Sequence, residues 1–105
     1  MSAVNQVFEE MKQRLTPEKA QKINASFQFD IGGEDGEKWH VDLTKANEWI
    51  TKGDSQAQCT ITVPKADDWV MLASGKMNPT MAFMQGKIKV KGDMSLALKL
   101  QSLLS

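Results

Sequence analysis

The last eleven residues but one, Met94 to Leu104 (MSLALKLQSLL), constrain the fold more than any other stretch of this 105-residue chain. Asp93 stands before them as a helix cap. Wound as an α-helix at about 100° per residue, Met94, Leu96, Ala97, Leu98, Leu100, Leu103 and Leu104 sweep roughly 220° of the circumference. Ser95, Lys99 and Ser102 occupy a polar sector of only about 60°. An ordinary surface helix needs an apolar stripe of about 100°. A helix this apolar in so short a chain has to be covered on two sides. A sheet supplies one cover; a second element, a partner or an apolar ligand supplies the other. Gln101 falls inside the apolar arc, where a buried amide needs a hydrogen-bonding partner.

The residues just before it read as a short helix and a strand. Asn78-Pro79 is a helix start, with Asn as cap and Pro at the first helical position. Gly86 ends that helix, and Lys87-Ile88-Lys89-Val90-Lys91 alternates as a strand with one wet face. Upstream, Val4, Val7, Phe8, Met11 and Leu15 follow helical spacing over 2–15, with Ser2 or Asn5 as the expected cap. Thr16-Pro17-Glu18 opens a short turn of helix through Lys22. Ile23 to Ile31 alternates as a strand, and Gly32-Gly33-Glu34-Asp35-Gly36 is a turn. Trp39, Val41 and Leu43 form a second strand, Ala46 to Lys52 a third and Gln56 to Val63 a fourth. Pro64 is expected to start a helix reaching Ser74, its inner face Ala66, Trp69, Val70 and Ala73. The glycine-rich turn lacks the Gly-Lys-Ser/Thr of a phosphate loop and leads into a strand, so no nucleotide cofactor is expected.

These elements predict one domain of α+β class, a sheet covered by helices in two layers. No apolar run approaches the ~18 residues of a membrane span. Net charge is zero, which argues against nucleic acid as a general partner. The charge is unevenly spread: residues 1–70 hold 8 Lys/Arg and 12 Asp/Glu, net −4, and residues 71–105 hold 5 Lys and 1 Asp, net +4. Lys87, Lys89 and Lys91 therefore offer a transient contact to an anionic membrane. On the plainer reading they keep the outer face of an edge strand wet. The N-terminus has no basic region followed by an apolar one, and Leu103-Leu104-Ser105 is not a Ser-Lys-Leu address; a cytoplasmic setting is expected. The single Cys59 fits a reducing compartment.

Catalytic chemistry is hard to find. His40, the one histidine, lies on a polar strand face beside Asp42, with no nucleophile placed by the sequence. Cys59 alternates onto an apolar face as a small hydrophobe. One Cys and one His leave no plausible zinc site. The chain is read as a non-enzyme.

Binding is better supported. Five of the seven methionines, Met71, Met77, Met81, Met84 and Met94, fall in the last third of the chain. Methionine suits surfaces that adapt to the shape of a guest.

The segment GKMNPTMAFMQGKIKVKGDMSLALKLQSL resembles the corresponding part of the sterol carrier protein 2 (SCP2) family. The order G-K-M-N-P, A-F-x-Q-G-K-x-K-x-x-G and M-x-L-A-x-K-L-Q is specific as a set. The likeness runs back through Cys59-Thr60-Ile61-Thr62 and Trp39 to the first helix. It implies a five-stranded, mostly antiparallel sheet covered on one face by helices, with an apolar tunnel between the layers. It also implies a carrier of fatty acids, acyl-CoA, phospholipid or sterol-like molecules. An accessory role, presenting an isoprenoid or acyl intermediate to a partner enzyme of lipid metabolism, is the alternative.

The expected lining is drawn from the inward strand faces and the facing helices. From the first two-thirds of the chain it takes Phe27, Trp39, Ile61, Trp69 and Leu72. From the last third it takes Met77, Met81, Phe83, Met84, Gln85, Ile88, Met94, Leu98 and Gln101. Gln85 stands at the A-F-x-Q-G position, where it supplies a head-group contact or bonds backbone at the helix end. An empty, unrelaxed pocket of ~300 Å³ would cost about 7 kcal/mol at ~24 cal/mol per Å³. Domains are stable by only ~5–15 kcal/mol, so a tunnel here should be filled, part-collapsed or wet. Burying ~12 methylenes gives ~10 kcal/mol gross, against ~4–15 kcal/mol for association, so binding should be micromolar or weaker and permissive.

Overall fold

Residues 3–33 and 36–104 are described by a computed structural model of the chain. Ser2 as a cap and Glu34-Asp35 in the turn lie outside the described residues, as does the side chain of Gln101. The elements run α1 (Ala3–Arg14), α2 (Pro17–Ile23), β1 (Ser26–Ile31), β2 (Lys38–Asp42), β3 (Ile50–Lys52), β4 (Cys59–Val63), α3 (Ala66–Ala73), α4 (Pro79–Met84), β5 (Lys89–Gly92), a 3₁₀ helix (Met94–Lys99) and α5 (Leu100–Leu104).

The five strands form one mixed sheet in the order β3-β2-β1-β4-β5. β1 pairs antiparallel with β2 and parallel with β4, and β2/β3 and β4/β5 are antiparallel. Register puts Phe27 beside Val41 and Cys59, and Phe29 beside Trp39 and Ile61. Because strand side chains alternate, these residues share one face and bury it against the helices. The other face is polar: Gln28 lies opposite His40, His40 opposite Thr51, Thr60 opposite Lys91 and Thr62 opposite Lys89. Gln28 is nonetheless buried, and its amide spans the sheet, donating to Asp30 and the Gly53 carbonyl and accepting from the Ser55 N–H.

Phe8 of α1 centres the core. Its ring stacks on Trp39 (centroids 4.8 Å apart) and on Trp69 (5.0 Å), and meets Phe29 edge-on at 5.6 Å. Offset stacks of this kind add about 0.5–1.5 kcal/mol to the burial of the rings. The Lys12 and Lys52 ammonium groups lie over the Trp39 ring, 5.5 and 5.9 Å from its centre.

Several boundaries differ from the sequence reading, each for a local reason. Ile23 ends α2 rather than starting β1, because Asn24 adopts a left-handed conformation (φ 45°) and closes the helix onto the Ala20 carbonyl. The third strand is only Ile50–Lys52: Asp42 accepts hydrogen bonds from the amide and hydroxyl of Thr44, making a turn of residues that alternate weakly. Pro64 stays outside α3, whose cap position is Lys65. Asn5 lies within α1 rather than before it. β5 begins at Lys89, because the Lys87 amide still bonds the Ala82 carbonyl and Gly86 (φ 77°) closes α4.

The closing segment departs most. It is one helix in the sequence reading but starts as six residues of 3₁₀ helix, capped by Asp93, whose carboxylate accepts from the Ser95 amide and hydroxyl. At three residues per turn, residues three apart eclipse. Ser95 and Leu98 therefore share an outward face, while Leu96 turns inward. The apolar arc is split: Leu96, Leu100, Leu103 and Leu104 are buried, and Met94 and Leu98 are not. Gly92 makes the turn into this segment; its φ is 94°, and a Cβ there would collide with the Gln58 carbonyl oxygen.

Candidate functional site

α4 is built inside out. Asn78 caps it, its side-chain oxygen accepting from Thr80 N–H (2.8 Å) and Met81 N–H (3.3 Å), and Pro79 fills the first position. Only the small Ala82 and Pro79 are buried; Met81, Phe83 and Met84 point out. The 3₁₀ helix likewise turns Met94 and Leu98 outward. Between the two helices, beside the buried Ile88, lies an apolar hollow of about 380 Å³. Pro79, Thr80, Phe83, Ile88, Met94, Ser95, Ala97 and Leu98 line it. That volume is at the lower end of the ~300–1,000 Å³ of small-molecule pockets. Among the described residues that line it, Thr80 and Ser95 carry the only side chains with hydrogen-bonding N or O atoms, so this lining discriminates by shape and length more than by polarity.

Two further hollows flank α3. One of about 220 Å³ lies against α1 and α5, lined among others by Val7, Met11, Val70 and Leu103. The other, about 370 Å³, is lined among others by Leu72, Met77 and Pro79. They share Arg14, Ala73, Ser74 and Leu104. Arg14 is the chain's one arginine, and its ion pair with Glu10, at 4.0 Å and exposed, holds it weakly.

Against this geometry the expected lining divides. Phe83, Ile88, Met94 and Leu98 come together in the apolar hollow. Leu72 and Met77 line the hollow beside α3. Phe27, Trp39, Ile61 and Trp69 are in the core between sheet and helices. Two of these carry buried groups without a partner among the described residues, the indole N–H of Trp39 and that of Trp69. Met81, Met84 and Gln85 are exposed outside the hollow, Gln85 as the C-terminal cap of α4. Pro79, Thr80, Ser95 and Ala97 line the hollow and were absent from the sequence-based set. For Ser95 a signal existed: its i, i+3 spacing to Leu98 puts the two on one side of a helix of either kind.

The groups with catalytic potential are otherwise engaged. His40 Nδ1 lies 3.1 Å from Gln28 Oε1. Burial pushes the Asp42 carboxyl up, but the Thr44 hydrogen bonds and the nearby His40 and Lys45 outweigh it, leaving the group below its ordinary value. Burial, and then the Asp93 charge, push the Cys59 thiol up, away from a reactive thiolate. No cluster of three metal-ligating side chains occurs among the described residues. Nor, among them, is any helix long and apolar enough to cross a membrane.

Comparison with known proteins gives a consistent picture. The family model of the SCP-2 sterol transfer family matches residues 4–105. The chain is 39% identical over 104 residues to the Bos taurus hydroxysteroid dehydrogenase-like protein 2, covering 98% of this chain and 25% of that protein. It thus spans about a quarter of the length of that relative. It is 36% identical to the Caenorhabditis elegans non-specific lipid-transfer protein-like 1, over 93% of this chain and 86% of that one. Its fold matches the solution structure of palmitated SCP2L2 from Aedes aegypti with a TM-score of 0.72, at 32% identity, covering 99% and 95% of the two chains.

Proposed function

Since the chain belongs to the SCP-2 sterol transfer family, we propose that it is a non-catalytic lipid carrier whose acyl-chain guest lies in the hollow between α4 and the closing 3₁₀ helix. The observation that carries this reading is the hollow itself: Phe83, Ile88, Met94 and Leu98 around about 380 Å³ of space. Leu98, 71% exposed, does not stand alone: it shares the hollow with the exposed Phe83 and Met94 and the buried Ile88, a grouped apolar lining. An acyl chain laid there removes apolar surface of both partners from water. The palmitate of the Aedes aegypti relative supports the same class of guest. With two hydroxyls as the polar side chains among its described lining, the hollow favours fatty acids, acyl-CoA or phospholipid by chain length rather than by head group.

The test is native mass spectrometry of freshly purified protein, with organic extraction, followed by thermal unfolding with added palmitate. Co-purified lipid and a rise in melting temperature with ligand concentration are expected. Protein that carries no lipid and melts at the same temperature with every fatty acid, acyl-CoA and sterol tried would refute it. Transfer of labelled lipid between vesicles supports a carrier working alone; a stoichiometric enzyme recovered with the protein supports presentation to that enzyme.

A further inference from the structure

Six of the seven methionines lie among the described residues, and they divide by what their side chains meet. Met11 is buried in the core, and Met77 is half-buried beside α3. Met71, Met81 and Met84 are exposed and line no part of the apolar hollow. Met94 alone among the six does both: it lines the hollow and stands 49% exposed, within reach of small solutes.

A thioether with that access is open to a reaction that leucine and isoleucine lack. A lone pair of Met94 Sδ attacks one oxygen of hydrogen peroxide. The O–O bond breaks as the S–O bond forms, and the other oxygen leaves as hydroxide, which takes the proton from the first and becomes water. The sulfur is oxidised by two electrons and the peroxide is reduced by two. The flexible apolar side chain becomes a polar, chiral sulfoxide.

The consequence depends on where the sulfur sits. Met81 and Met84, 57% and 78% exposed outside the hollow, turn a sulfoxide oxygen to water. Met94 carries it into the lining. That oxygen accepts hydrogen bonds and donates none. The Ser95 hydroxyl is already given to the Asp93 carboxylate, which leaves Thr80 as the donor among the described lining side chains. An acyl chain offers no donor, so a guest laid over the oxidised side chain takes its oxygen out of water uncompensated. The cap of the 3₁₀ helix runs through Asp93 and Ser95 and does not use the Met94 side chain.

We propose that Met94 is a redox modification site: a hydroperoxide converts it to the sulfoxide, and the modified hollow releases its acyl guest. Met81 and Met84 react with the same oxidant without effect on the hollow. Methionine sulfoxide reductases, one for each epimer, restore the thioether and with it the apolar lining. The inference rests on the lipid-carrier reading, since it needs a guest at Met94.

The test begins with palmitate titration of the reduced wild type; no binding at this stage refutes the carrier reading and this inference with it. The protein is then treated with hydrogen peroxide, the oxidised positions are located by peptide mass spectrometry, and the titration is repeated. Oxidised wild type should bind palmitate roughly tenfold more weakly, and treatment with the two reductases should restore its affinity. Met94→Leu, measured against its own affinity before peroxide, should lose none of it. Met81→Leu/Met84→Leu should lose as much as the wild type. Met94→Gln, which sets a lasting polar group at the same place, should bind weakly without peroxide. Saturating palmitate should slow the oxidation of Met94 and leave that of Met84 unchanged. Full affinity in protein whose Met94 is oxidised, or an equal loss in Met94→Leu, overturns the proposal. So does a loss of affinity that accompanies loss of the circular dichroism signal, or a Met94 that oxidises at one rate with and without palmitate. In each of these cases palmitate still binds the reduced protein, and the carrier reading stands.

Discussion

The ammonium of Lys99 donates a hydrogen bond to the carbonyl oxygen of Ile23, 3.2 Å away across 76 positions of sequence. Ile23 is the last residue of α2, where carbonyls lack helical partners and the dipole end is negative. The bond ties the closing 3₁₀ helix to the opposite part of the chain at the point where α5 begins. A charge-assisted hydrogen bond is worth ~1.5–3 kcal/mol, reduced here by exposure to about 1 kcal/mol. Lys99→Met, which keeps the stem and removes the donor, should lower the melting temperature by about 4–8 °C. Amide exchange should quicken over 94–104. Unchanged exchange there would mean that leucine burial alone holds the segment.

Leu98 and Leu100 are two residues apart and should fail in opposite assays. Leu100 is fully buried, so Leu100→Ala should cost about 2–5 kcal/mol of stability. Leu98 is exposed at the hollow, so Leu98→Ala should change stability by no more than about 0.5 kcal/mol. If an acyl chain lies there, the same substitution should weaken palmitate affinity by about 1–2 kcal/mol, roughly tenfold. Isothermal titration with palmitate and urea unfolding of both variants decide this. A Leu98→Ala protein with wild-type affinity would place the guest elsewhere.

How far these features were legible in the sequence depends on how local their causes are. Alternation over residues 26–31 and 38–42 identifies β1 and β2, because side-chain direction follows from chain geometry alone. The parallel pairing of β1 with β4 leaves no such trace: Phe29 beside Ile61 looks the same in sequence whichever way β4 runs. The excess apolar arc of 94–104 was drawn with a 100° step, which does not describe residues 94–99, since they follow the Asp93 cap as a 3₁₀ helix. The same limit separates the site residues. Alternation alone turns Phe27 and Ile61 inward, and the structure places both in the core, where Phe27 packs against Phe29 and Phe29 meets the ring of Phe8. Where a hollow remains depends on how side chains from distant elements meet, which no periodicity encodes.

Asn78 holds the first turn of α4 through two hydrogen bonds to its side-chain oxygen. Asn78→Ala should cost about 1 kcal/mol, whereas Asn78→Asp keeps an accepting oxygen and should cost less. With six residues and two of them buried, α4 has little else to hold it. Asn78→Ala should therefore speed proteolysis within 79–84 and weaken palmitate binding, since Pro79, Thr80 and Phe83 line the hollow. Equal melting temperatures for the Ala and Asp variants would show that the cap does not matter.

Acid should test two of the turns that shape the chain. Hydrogen bonds from the Ser95 hydroxyl and amide hold the Asp93 carboxyl below its ordinary 3.8. At Asp42, burial raises the carboxyl, but the Thr44 bonds and the His40 and Lys45 charges prevail and leave it lowered as well. A carboxyl whose folded pKa lies below its unfolded pKa binds fewer protons in the folded state. Its contribution to stability is complete above the unfolded value, and is lost as pH falls through that value and then through the folded one. Both turns should therefore weaken as pH drops below about 5. Asp42→Asn/Asp93→Asn keeps an accepting oxygen at each turn and removes the titration. Its urea midpoint should fall less steeply than the wild type's on acidification. Parallel curves for the two proteins would assign acid sensitivity to other carboxyls, whatever the variant's stability at neutral pH.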